Sequence, residues 1–121
     1  NKRKGEIGMG YYSDVAICMK REDYEVLKAK SAELEHDMID IATTTRFDEE
    51  DDVVVIYWGS VKWYSDFEEV RLIEDFLQTL DTYEFIRLGE DYEDNEFLSG
   101  PEWEDGICEK IHMCRDIEID I

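Results

Sequence analysis

The chain has 121 residues, with 33 Asp or Glu against 13 Lys or Arg and a formal net charge of −20. A content of 43% hydrophobic and 12% aromatic residues excludes a disordered acidic tail, and one Pro with seven Gly excludes collagen-like or low-complexity structure. The charge argues against a basic face for DNA, RNA or anionic lipid, and no run of 18 apolar residues is present to span a bilayer.

The length suits one domain with its own core. No secretory signal pattern opens the chain, and three cysteines, an odd number, fit a reducing compartment, so the expectation is a soluble, cytoplasmic protein. Its charge is unevenly spread. Residues 1–46 carry 8 bases against 9 acids, whereas residues 47–121 carry 5 against 24. Three clusters dominate: Asp48 to Asp52, then Glu90, Asp91, Glu93, Asp94 and Glu96, then Glu102, Glu104 and Asp105. A compact domain of this length is about 35 Å across, and duplex DNA of that length holds about 20 phosphates. Solubility alone is normally met by a net charge of about 2–8 in magnitude, so the surplus asks for another explanation than solvation of loops.

Residues 1–10, NKRKGEIGMG, are basic and glycine-rich and read as a flexible extension; were Met9 a start, the body would open Met9-Gly10-Tyr11. The single domain then covers residues 11–121. From Tyr11 to Met19, a two-residue period places Tyr11, Val15, Ile17 and Met19, with Ser13 among them, on one side of a first strand. Glu22, Asp23 and Glu25 crowd a first helical turn, and Tyr24, Leu27, Leu34, Met38 and Ile41 follow at helical spacing, which predicts a helix to about Ala42 stopped by Thr43-Thr44-Thr45. Val53 to Trp58 is a continuous apolar, β-branched run typical of a buried central strand. Gly59-Ser60 then marks either a tight turn into Val61–Tyr64 or a bulge in one strand.

Asp66 and Glu69 have capping-box spacing ahead of a second helix with the stripe Phe67, Val70, Ile73, Leu77 and Leu80. Tyr83 to Leu88 is a short strand, and Ile107 to Ile121 alternates as a strand with one wet face. The expected architecture is α+β: two helices on one face of a mainly antiparallel four- to five-stranded sheet. If Gly59-Ser60 is a hairpin, the order contains the ferredoxin-like split β-α-β pattern with one extra strand.

The candidate chemistry is sparse. Cys108, His112 and Cys114 are zinc-ligand types, but on one strand rising about 3.3 Å per residue the two cysteines would stand about 20 Å apart, and a fourth ligand is missing. Asp91, Glu93, Asn95, Phe97, Ser99 and Glu102 fall at positions 1, 3, 5, 7, 9 and 12 of an EF-hand-like loop, with Glu96 where Gly is expected, leaving a calcium-binding module as an alternative. Two His, no Gly-x-Ser-x-Gly elbow and no phosphate-binding loop give no catalytic constellation; no cofactor, no resident metal and no enzymatic activity are expected. Trp58, Trp63, Tyr57 and Tyr64 around Gly59-Ser60 are mostly core candidates, with Trp103 and Tyr92 as aromatic anchors among carboxylates.

The stretch Met9-Gly10-Tyr11-Tyr12-Ser13-Asp14-Val15, with Lys62-Trp63-Tyr64 before an acidic helix, resembles a group of small acidic phage and mobile-element proteins that open Met-Gly-Tyr-x-Ser-Asp-Val. The resemblance covers about a tenth of the chain and implies a phage setting, hence the host cytoplasm. By strategy the chain also resembles small acidic inhibitors of restriction and CRISPR systems, which present carboxylates where a nuclease expects phosphates. The expectation is therefore a non-catalytic inhibitor whose partner is a basic nucleic-acid-binding protein such as a host defence nuclease. Glu49, Glu50, Asp51, Asp52, Glu90, Asp91, Glu93 and Asp94 would act as phosphate surrogates. An immunity protein or antitoxin against a basic toxin shares the same acidity and differs in partner.

Overall fold

A computed structural model describes residues 10–101, 111–113 and 117–119. Its centre is β1 (Ser13–Lys20), whose period-two pattern buries both faces: Val15, Ile17 and Met19 face the helices, Ala16 and Cys18 the opposite side. The chain then enters α1 (Arg21–Ser31), with Glu22 and Asp23 in its first turn and Lys28 and Lys30 in its last, signs that suit the helix dipole.

The helix stops eleven residues before the expected Ala42. The cause is Asp37, whose Oδ1 accepts hydrogen bonds from Ser31 Oγ (2.6 Å) and from the N–H groups of Ile39 (3.0 Å) and Asp40 (3.2 Å). A short carboxylate side chain that captures nearby backbone donors competes with the helical ladder. Met38 and Ile39 are still buried, so the loop keeps part of the predicted stripe, but Ile41 is 61% exposed.

Thr43-Thr44-Thr45 is not the expected helix stop, since α1 has already ended at Ser31: β-branched residues favour a pleated strand, and Thr44–Asp48 forms β2. It pairs antiparallel with β3 (Val53–Val61) through a turn at residues 49–52. That turn is built by its own acids, since Asp48 Oδ1 accepts from the Glu50 and Asp51 N–H groups and Asp52 adopts φ 54°, a region that Asp tolerates. The hairpin is therefore here and not at Gly59-Ser60, which is a bulge within β3. Its register against β1 slips between Ser13↔Val61 and Val15↔Trp58, with Ser60 at φ 51° donating its N–H to Asp14 Oδ1 at 2.8 Å.

Next comes α2 (Glu68–Gln78), whose N-cap is Phe67 with no side-chain cap, so the expected Asp66–Glu69 capping box does not form. Its stripe of Val70, Ile73 and Leu77 packs with Phe67 into the core as the spacing predicts. The chain closes the main sheet with β4 (Tyr83–Gly89) and β5 (Asn95–Ser99). Strand order is β2-β3-β1-β4-β5 with every neighbouring pair antiparallel. β3 lies between β1 and β2 across α1, and β1 lies between β3 and β4 across α2, which are two interleaved split β-α-β units plus one added edge strand.

The helix-side core holds Trp58 and Trp63 with ring centroids 5.2 Å apart, and Trp58 Nε1 donates to the Met38 carbonyl at 2.8 Å. These two tryptophans are core, as expected for aromatics alternating with β-branched residues. The opposite face is also buried at Ala16, Cys18, Val53, Val55 and Ile86, and Ile117 packs against it. Ile117 belongs to a hairpin of β6 (Ile111–Met113) and β7 (Ile117–Ile119), paired Ile111↔Ile119 and Met113↔Ile117. Where one strand is expected from Ile107 to Ile121, the described residues thus form two short antiparallel strands. Cys108, Cys114, Trp103, Glu102, Glu104, Asp105 and the proposed extension up to Met9 lie outside the described residues.

Candidate acidic protein-binding surface

The sheet has an upper end, where β1 begins at Ser13, and a lower end, where it finishes at Lys20. Register places the predicted acidic residues at both. Lys20 stands opposite Val53, so Glu49, Glu50, Asp51 and Asp52 form the exposed lower turn on the β3 side. Ser13 stands opposite Gly89, so Glu90, Asp91, Glu93 and Asp94 form the upper turn on the β4 side. Seven residue rises along β1 and three inter-strand spacings across the sheet separate the two turns by about 27 Å, corner to corner. The structure does not bring the eight residues into one cluster.

At the upper corner they differ in state. Glu90, Asp91 and Glu93 are exposed, and Tyr92 between them is 80% exposed. Asp94 is tied down instead: Arg87 Nη2 reaches its Oδ1 at 2.7 Å, Arg87 Nη1 its Oδ2 at 3.2 Å, and the Tyr11 hydroxyl donates to Oδ2 at 2.6 Å. The guanidinium first, and the tyrosine second, hold the Asp94 carboxyl down at about 2. Arg87, 13% exposed, also binds Glu96 at 2.6 Å and Ser13 Oγ at 3.0 Å. Asp94 is thus a clamp residue and makes a poor phosphate surrogate, since its charge is already matched.

The clamp also seats the start of the described chain. The Tyr11 N–H donates to Tyr64 Oη (2.6 Å), the Tyr12 N–H to Glu90 Oε2 (2.5 Å), and the Asp91 N–H to Tyr11 Oη (3.1 Å). Lys62 Nζ lies 5.8 Å from the Tyr12 ring and lines a hollow of about 410 Å³ with Glu35, Asp37, Asp40, Ile41 and Glu69. The upper end therefore carries carboxylates from the α1–β2 connection, the start of α2 and the β4–β5 turn. Sequence places Tyr11 on the first strand, which begins instead at Ser13, and gives neither Tyr11 nor Arg87 a role in this site. The available signal was that Arg87 is the single base between Arg71 and Lys110, and so the one cation placed to neutralise that acidic stretch from within it.

Asp94→Asn should lower the melting temperature by an amount equivalent to about 1 kcal/mol at pH 7, a charge-assisted bond discounted for its partial exposure. Because the Asp94 pKa is depressed on folding, its contribution is present above the unfolded value of 3.8 and lost as pH falls towards about 2. Thermal melts of the two proteins should converge there; a constant gap down to pH 2 would refute the clamp.

The EF-hand reading meets a different backbone. Residues 95–99 are an extended strand paired with β4, which sends Asn95, Phe97 and Ser99 to the same face at about 6.6 Å intervals and does not curl them around a point. Among the described residues no group of three His, Cys, Asp or Glu side chains is placed to hold a metal ion, and no helix is long and apolar enough to cross a membrane. No family model matches the chain, and comparison with curated proteins and with solved structures finds no match.

Proposed function

We propose that the domain is a non-catalytic inhibitor that occupies a basic, nucleic-acid-binding surface of another protein, with a host defence nuclease as the partner class. The observation that carries this reading is the pair of exposed carboxylate turns, Glu49 to Asp52 and Glu90 to Glu93, held at opposite corners of the five-stranded sheet. Their separation of about 27 Å corresponds to about eight base-pair rises of duplex DNA. A channel that reads phosphates over that length meets negative charge at both ends of this molecule. The sheet and its tight turns supply the preorganisation that keeps the ordering cost of binding low.

The test is competition on a purified nuclease with a Lys/Arg-lined channel. Affinity for the nuclease should fall at least tenfold from 50 to 200 mM salt, as screening removes several ion pairs, and bound DNA should be displaced. Salt-independent affinity, or a ternary complex holding DNA and this domain together, would sink the proposal.

A further inference from the structure

The main sheet ends at β5, and all five of its residues, Asn95 to Ser99, are exposed, including Phe97 at 50% and Leu98 at 42%. Among the described residues no strand pairs with its outer side. Edges are commonly blunted by Lys, Pro, a bulge or a free charge; β5 has no Lys, Pro or bulge, and its one charged residue, Glu96, is paired with Arg87. Beside it, on the helix face, a hollow of about 150 Å³ lies between β5 and the C-terminal half of α2. Leu77, Phe85 and Leu98 line its apolar part, and Glu74, Asp75 and Glu96 its polar part.

We propose that this open edge and the hollow beside it receive an extended, basic segment of a partner protein by strand addition. The proposal rests on the basic-partner reading above and adds to the two acidic turns a separate contact that such a partner would use. Main-chain hydrogen bonds to β5 supply affinity, and alternate side chains supply selectivity: an aliphatic side chain enters the hollow while Lys or Arg meets Glu74 and Asp75. Charge decides the occupant. A second copy paired edge to edge would bring two chains of net charge −20 together beside the acidic turn at residues 90–94, whereas a basic strand gains the complementary field.

The probe is a fluorescein-labelled peptide alternating Lys with Val and Leu over ten residues, titrated with the full chain and read by anisotropy. Leu98→Ser and Asp75→Lys, both at exposed positions, should each weaken it at least fivefold at unchanged melting temperature. The distal pair Glu49→Gln/Glu50→Gln should leave it within twofold. The same peptide with proline at its centre, unable to donate a main-chain N–H there, should bind at least fivefold more weakly. Equal binding of both peptides, or equal loss in every variant, would reduce the effect to bulk charge attraction and overturn the proposal. So would a concentration-dependent dimer abolished by Leu98→Ser, because the occupant would then be a second copy. Salt-dependent nuclease binding without peptide binding refutes the edge alone; the expected peptide pattern without nuclease binding supports the edge and removes the nuclease.

Discussion

Glu84→Gln should raise the stability of this protein by about 3 kcal/mol at pH 8 and leave it nearly unchanged at pH 4.5. Glu84 lies on β4, opposite Cys18 on β1 and Ser99 on β5, and is 1% exposed on the face away from the helices. Its Oε1 has no hydrogen-bond partner. Burial lifts the carboxyl from 4.5 to about 7, because the charged form loses its water and gains no counter-charge. Between those two values the native state keeps a proton that the unfolded chain has released, so stability falls as pH rises through that window and is flat above it. A shift of that size corresponds to about 3 kcal/mol, or about 10 °C in melting temperature for a chain of this length. Glutamine has nearly the same shape and no charge to desolvate, so it removes the slope. The acidic surface gives both proteins a common background pH dependence, which cancels in the difference between their melting curves. Parallel curves from pH 4.5 to 8 would show that water or a cation reaches the carboxylate.

The elements that were legible in the sequence are those whose burial pattern is strong. Val53 to Trp58, the alternation of Val15, Ile17 and Met19, and the stripe Val70, Ile73 and Leu77 all report core packing, and all three became the expected strand or helix. The α+β class with both helices on one side followed from them. The two strands that were missed, Thr44–Asp48 and Asn95–Ser99, sit at the edges of the sheet, where residues face solvent and the alternation fades. The over-long first helix has a specific cause: Leu34, Met38 and Ile41 keep helical spacing, and the three hydrogen bonds accepted by Asp37 override it. For the site, sequence located the acidic turns but not their separation, since register alone places one at each end of β1. It could not separate Asp94 from its neighbours either. That distinction depends on Arg87, seven residues away in the chain and brought alongside by the β4–β5 turn.

Neutralising the two turns separately should distinguish a partner that spans the molecule from one that grips a single corner. The lower set is Glu49→Gln/Glu50→Gln/Asp51→Asn, which spares Asp52 at its positive φ; the upper set is Glu90→Gln/Asp91→Asn/Glu93→Gln, which keeps an acceptor for the Tyr12 N–H. Three exposed charges, each worth about 0.2–1 kcal/mol in an ion pair, make each set responsible for about 1–3 kcal/mol at low salt, or about 5- to 150-fold in affinity for the nuclease. At about 27 Å the sets are far enough apart to act independently, so combining them should multiply the two losses. Most of the change should appear in the association rate and vanish at high salt, because rim charges steer encounter more than they hold the complex. Full affinity in either triple variant would confine the contact to the opposite corner, and a phosphate-like path across the whole sheet would then be untenable.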